Sequence, residues 1–485
     1  MNKELRRVST VVLLMFVALF CSTTIIQVFS SDSLNADDRN RRTLYDSYSA
    51  ERGPILVDGE PIAESVPVDD QYEYQRVYND PELYANITGY FTLNQSNPGI
   101  EGALNDYLSG TANAQFFDNL TSIVTGQNPK GAAVELTIDP DVQKAASDAL
   151  GDQRGAVVAL DPKTGAILAM VSKPSFDPNA LAVHSNDAFF QAYDALEADD
   201  AEPLINRAIA GDLYVPGSVF KVLMTAAAID SGRFTADTAF PNPAALTLPQ
   251  SSSVITNSSG GSCGSGAEAT IATALRLSCN IPMAELGLEM GEDTIADYAA
   301  RFGYGDDDLR IPLKVTPSQY PTGLDDPTLM LSSFGQASVR VTPLQIAMTS
   351  AAIANGGVLM QPTLVEQILA PDLTEIQSFQ PEVYNTPLSA DTAAKVTEMM
   401  IAGVSNGAAS NARIDGVDVA GKTGTAENGG DSPYTLWFTG FAPANDPEVA
   451  VAVVIENGGG LGQSGFGNSV AAPIAKKVLE AVLNK

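Results

Sequence analysis

Pro216-Gly217-Ser218-Val219-Phe220-Lys221 contains the only Ser-x-x-Lys in the chain, and its reading decides the fold. The Ala-rich run that follows, to about Ile229, predicts a helix that begins near Ser218. At a helix start, residues three apart share a face, so Ser218 and Lys221 are expected within hydrogen-bond reach. The helix N-terminus adds positive potential beside the hydroxyl. A serine hydroxyl is a weak nucleophile and needs a base. A lysine can be that base only if burial or a second cation lowers its pKa. An N-cap serine followed by a surface lysine gives the same four letters, so the motif needs support from elsewhere.

Two further stretches supply it. Ser278-Cys279-Asn280 lies between two predicted helices and offers a hydroxyl to relay a proton and an amide to bind a carbonyl. Ser33-Leu34-Asn35, near the N-terminal apolar run, matches the same pattern and is read as a decoy. Lys422-Thr423-Gly424-Thr425 sits on a strand predicted from Val417. A glycine in mid-strand weakens a sheet unless another backbone approaches closely, and a peptide adding to a free edge would do so. Thr423 and Thr425 present hydroxyls for a terminal carboxylate, and Lys422 presents charge. A lysine guarding an edge strand is the bland explanation of this motif. Each motif alone is matched by such an explanation; their order along one chain points to chemistry.

Together these residues resemble the penicillin-recognising serine enzymes, whose signature is S-x-x-K, then S-x-N, then K-T-G. The resemblance implies a serine acyl-enzyme formed at D-Ala-D-Ala or on a β-lactam. It implies catalytic roles for Ser218, Lys221, Ser278, Asn280 and Lys422, and substrate binding by Thr423, Gly424 and Thr425. The backbone N–H groups of Ser218 and Thr425 would form the oxyanion hole. Further segments are similar to class B penicillin-binding proteins. Arg52-Gly53-Pro54-Ile55 with Asp58-Gly59 and Gly99-Ile100-Glu101-Gly102 fit the N-terminal module. Leu136-Thr137-Ile138-Asp139, Ser175 to Asn179, Asn206-Arg207 and Thr342-Pro343-Leu344-Gln345 fit the transpeptidase domain. Gly335-Gln336-Ala337-Ser338 departs from the usual G-Q-G at Ala337, which leaves that loop's geometry open. The length, without appended C-terminal modules, is most similar to the actinobacterial penicillin-binding protein A group.

Working outward, the expected organisation is a cytoplasmic tail at 1–7, a transmembrane anchor at 8–29, a dimerisation or pedestal module at 30–130, and a penicillin-binding transpeptidase domain at 131–485. The fold class is α+β: an antiparallel sheet packed with helices, plus a helical subdomain, preceded by a small α+β module. Strands Gly155 to Asp161 and Ala166 to Ser172 flank the turn Pro162 to Gly165, as in a hairpin. The apolar run Val8 to Phe29 would span roughly 33 Å as a helix. Lys3, Arg6 and Arg7 before it place the N-terminus in the cytoplasm and the remainder outside. A cleaved signal peptide or a lipid anchor at Cys21 are the rival readings of this run. About 100 residues between anchor and catalytic domain are too few for a glycosyltransferase domain. Family resemblance therefore implies a polytopic SEDS-family glycosyltransferase as partner, with stem peptides and β-lactams as ligands.

Composition narrows the chemistry. The 485 residues carry 27 basic and 58 acidic side chains, a formal charge of −31 that argues against nucleic acid as a partner. His184 is the only histidine, so multi-histidine zinc sites are excluded, and no metal or cofactor is expected. Its surroundings carry no nucleophile elbow, which disfavours a Ser-His-Asp triad. Cys263 and Cys279 are expected to pair as a disulfide in a non-reducing exterior, with two small buried thiols as the alternative. A carboxypeptidase, a β-lactamase or a β-lactam-sensing receptor of the same fold are the competing functions. The one E-x-x-x-N that tempts a lactamase reading, Glu202 to Asn206, precedes Ser218 rather than following it.

Overall fold

A computed structural model describes residues 2–26, 50–112, 115, 130–258 and 260–484. Helix α1 (Asn2–Thr24) is exposed from Leu5 to Thr23, and its window from Leu5 to Thr24, mean hydropathy 1.8, is long and apolar enough to cross a membrane. The helix includes Lys3, Arg6 and Arg7, which precede the apolar run that begins at Val8. Residues 27–49, which include the Ser33-Leu34-Asn35 decoy, and residues 116–129 lie outside the described residues.

Strands β1 (Ile55–Val57), β2 (Glu60–Pro67) and β3 (Tyr74–Tyr78) belong to the N-terminal module. They do not form a sheet of their own. β1 runs parallel to β4 (Ala133–Leu136), with Ile55 opposite Val134. A six-stranded sheet continues through β4 into two strands far downstream, described below. The boundary expected at 130/131 therefore falls inside one hydrogen-bonded sheet. A buried ion cluster links the two module segments singled out by resemblance: Glu101 receives Arg52 Nε at 2.6 Å and Arg76 Nε at 2.7 Å, and Tyr78 donates to it at 3.1 Å. Burial pushes the Glu101 carboxyl up, but Arg76 and Arg52 outweigh it and hold the group ionised.

Helix α2 (Pro140–Leu150) has local start signals: Asp139 caps the N–H groups of Asp141 and Val142, and Pro140 occupies the first turn. The predicted hairpin forms from β5 (Gly155–Leu160) and β6 (Ile167–Lys173), Gly155 opposite Lys173. Helices α3 (Lys221–Asp230), α4 (Ile271–Leu277) and α5 (Pro343–Ala354) follow. Thr342 caps α5 by accepting from Gln345 N–H at 3.1 Å, which explains the Thr-Pro-Leu-Gln letters. Strands β7 (Val365–Leu369) and β8 (Glu375–Ser378) complete the six-stranded sheet in the order β8-β7-β4-β1-β2-β3.

Helix α6 (Ala390–Asn406), strands β9 (Ala420–Ala426), β10 (Thr435–Ala442) and β11 (Val449–Ile455), and helix α7 (Ala471–Leu483) close the chain. The second sheet has the order β9-β10-β11-β5-β6, antiparallel throughout, which leaves β9 and β6 at its edges. Alternation along β11 shows why it is buried on both faces. Val449, Val451, Val453 and Ile455 pack with α2 and α7, while Ala450, Ala452 and Val454 face α5. The two alanines let α5, buried from Pro343 to Ile353, lie close to the sheet.

Candidate active site

The nucleophile motif does not open an α-helix directly. Gly217–Phe220 form a 3₁₀ turn, and α3 begins at Lys221. Among the described hydrogen bonds, Ser218 Oγ is not paired with Lys221 Nζ as the sequence led us to expect. Lys221 instead reaches across to the S-x-N loop: Nζ donates to Ser278 O at 2.9 Å and Asn280 Oδ1 at 2.7 Å, with Ser278 Oγ at 3.5 Å.

Lys422 approaches the same serine from β9, its Nζ 2.8 Å from Ser278 Oγ and 2.8 Å from Thr423 O. Both lysines are fully buried. Burial, and then the charge of Lys422, hold Lys221 well below the ordinary lysine value. Burial lowers Lys422 to about 7. Ser278 thus sits between two buried amines, in the left-handed region at φ 65°, where it ends α4. Its neighbour Cys279 lies within bonding distance of Cys263, S–S 2.01 Å, and ties the loop to the chain 16 residues earlier.

Ser218, Asn280 and Thr425 line a cleft of about 590 Å³, with Asn257, Phe334 and Phe466 among its other walls. Thr423 is buried; its hydroxyl donates to Ala408 O at 3.1 Å, and among the two threonines only Thr425 borders the cleft. At Gly424 this strand tolerates no side chain. A Cβ there would come within 2.9 Å of Trp437 Cβ, 3.0 Å of Pro216 O and 3.2 Å of Val219 Cγ1. The backbone that approaches is the turn carrying Ser218, packed on the face of β9. Trp437, the single tryptophan, holds that turn through Nε1 to Val215 O at 3.0 Å.

Family signatures show a domain of known kind here. The model described as the penicillin binding protein transpeptidase domain matches residues 155–480, and that described as the penicillin binding protein A dimerisation domain matches 52–134. The chain belongs to the penicillin-binding protein transpeptidase family. Among penicillin-binding proteins it is 42% identical to the peptidoglycan D,D-transpeptidase PbpA of Mycolicibacterium smegmatis over 493 residues, covering 100% of both chains. It is 40% identical to the PbpA of Mycobacterium tuberculosis over 491 residues, 100% of this chain and 99% of that one. The solved structure of penicillin-binding protein A from M. tuberculosis as a ceftriaxone acyl-enzyme complex superposes with a TM-score of 0.87 at 39% identity, over 90% of this chain and 100% of that one. The imipenem acyl-enzyme complex gives 0.85 with the same identity and coverage.

Sequence reasoning missed two supports of this penicillin-binding site. Asn257 Oδ1 accepts from the N–H groups of Asn280 and Ile281 at 2.9 and 3.1 Å, and so fixes the residue that Lys221 bonds. Asn242 grips Cys263 through both its N–H and C=O at 2.9 Å. Neither asparagine belongs to a motif, and no local pattern signals them. His184 stands away from the site, with Nδ1 2.7 Å from Asp70 of the N-terminal module. Among the described residues no cluster of His, Cys, Asp and Glu is placed to hold a metal ion.

Proposed function

We propose that this chain is a class B peptidoglycan D,D-transpeptidase that cross-links stem peptides through an ester on Ser218. The observation that carries the reading is the buried Lys221–Ser278–Lys422 relay one turn from Ser218. Neutral Lys221 takes the Ser218 proton as Oγ attacks the carbonyl of the penultimate D-Ala. The N–H groups of Ser218 and Thr425 stabilise the oxyanion. The amide C–N bond then breaks, the terminal D-Ala leaves as an amine that collects the proton through Ser278, and the acyl group stays on Ser218. An acceptor amine attacks that ester, giving a new peptide bond and returning the serine. Asn280 orients the donor amide, Thr425 with Thr423 behind it holds the carboxylate end, and Gly424 keeps the strand close. A β-lactam acylates the same serine, but its leaving nitrogen stays tethered.

In this reading α1 is a single-pass anchor with Lys3, Arg6 and Arg7 on the cytoplasmic side and the catalytic domain outside the cytoplasmic membrane. The Cys263–Cys279 bridge suits that compartment. Glycan polymerisation falls to a partner of the SEDS glycosyltransferase class, which would contact the anchor and the module. The test is twofold. Fluorescent penicillin followed by peptide mapping should place the label on Ser218 and lose it in Ser218→Ala. The wild type should transfer an acyl-D-Ala-D-Ala peptide to an added amine. Label on another serine refutes the mechanism, hydrolysis without transfer indicates a carboxypeptidase, and acylation without peptide turnover indicates a sensor.

A further inference from the structure

Edge strands leave backbone N–H and C=O groups unpaired, and this fold closes them repeatedly with a side-chain carboxamide. On edge strand β6, Gln143 accepts from Met170 N–H at 2.8 Å and donates to Met170 O at 3.1 Å. On edge strand β3, Asn179 accepts from Tyr78 N–H at 2.9 Å and donates to Tyr78 O at 3.1 Å. A third case stands at the active site. With its amide turned so that both atoms find partners, Gln336 donates to Glu427 O at 3.2 Å and accepts from Glu427 N–H at 3.1 Å. Glu427 directly follows β9, the strand that carries Lys422 to Thr425.

The loop that presents Gln336 is fixed on both sides. Gly217 N–H donates to Gly335 O at 2.8 Å, and Arg340 Nη1 donates to Ala337 O at 2.9 Å. Ala337 holds the left-handed conformation, φ 57°, that a glycine would adopt without strain. Gln336, Ala337 and Glu427 are also the three residues common to the catalytic cleft and a second cavity of about 680 Å³, which extends to Asp212, Tyr214 and Ser432. The Gln336–Glu427 pair is therefore a partition.

Outward-facing groups recur every second residue along a strand, so those of Thr425 and Glu427 share one edge. A donor whose reacting carbonyl sits at Thr425 N–H, with its carboxylate pointing back toward Lys422, runs its preceding residues toward Glu427. There the edge is already filled. We propose that Gln336 is a specificity-determining residue: its carboxamide ends the strand-pairing groove after Thr425. Residues further from D-Ala-D-Ala then gain no ladder bonds and are kept out of the second cavity. This rests on the transpeptidase reading above.

The test compares two donors, an N-acetylated tripeptide ending in D-Ala-D-Ala and the same peptide extended by two residues at its N-terminus. In the full-length wild type their kcat/KM values should agree within about twofold. In Gln336→Ala the ratio of long to short should rise on the order of tenfold, through KM, because one more backbone pair becomes available. A loop merely loosened by the substitution would slow both donors alike, so an unchanged ratio overturns the proposal, as does a wild type that already favours the longer donor. Turnover of neither peptide by the wild type overturns the transpeptidase reading and this inference with it.

Discussion

Two amines on one hydroxyl give the site a definite pH response. Lys221 and Lys422 share Ser278 Oγ, so their protons leave in two steps that belong to the pair. Burial and the neighbouring charge hold Lys221 well below the ordinary lysine value, while burial sets Lys422 at about 7. The working state has Lys221 neutral and Lys422 charged. Penicillin acylation should rise with pH as Lys221 loses its proton and fall as pH passes about 7, where Lys422 loses its own. Lys422→Arg keeps the charge and should remove the falling limb at a reduced maximum rate. Second-order acylation rates across the pH range check this, and a falling limb that persists in the Arg variant would assign it to another group. The sequence already required burial or a second cation near Lys221, and the structure supplies both. It did not reveal Asn242 and Asn257, because they work by bracing loops distant in the chain, which leaves no local trace.

At the scale of elements, the decisive contact is a turn lying on a strand. Gly424 was readable as a site of close backbone approach; that the partner is Pro216–Val219 required the folded chain. Gly424→Ala should push the Ser218 turn off β9 by a few tenths of an ångström and slow acylation on the order of a hundredfold. Stopped-flow acylation beside a thermal melt tests it: a rate within twofold of wild type would mean the fit is not needed. The β5–β6 hairpin was legible because its two strands and the turn between them are contiguous in the chain. The sheet order β9-β10-β11-β5-β6 was not, since it joins segments hundreds of residues apart. The pairing of Cys263 with Cys279 needed only nearness and compartment, and their sulfurs do meet.

For the whole molecule, the shared sheet governs what can be removed. Deleting residues 1–29 takes away α1 but no strand, and the product should be soluble and react with penicillin. Deleting 1–130 removes β1, β2 and β3 and bares the full length of β4, so that product should aggregate on size-exclusion chromatography. A monomeric, penicillin-reactive 131–485 fragment would show that the catalytic part does not depend on the module. Family letters around Arg52 and Glu101 announced a module; that its first strand is an inner member of a sheet with β4 was beyond any reading of spacing. The placement of β1 also has a mechanical side. Tension on the chain ahead of Glu51 is directed along β1, which is bonded to β4 on one flank and β2 on the other. Such a strand is loaded like a lap joint, with its bonds sharing the force at once instead of parting one by one like a zip.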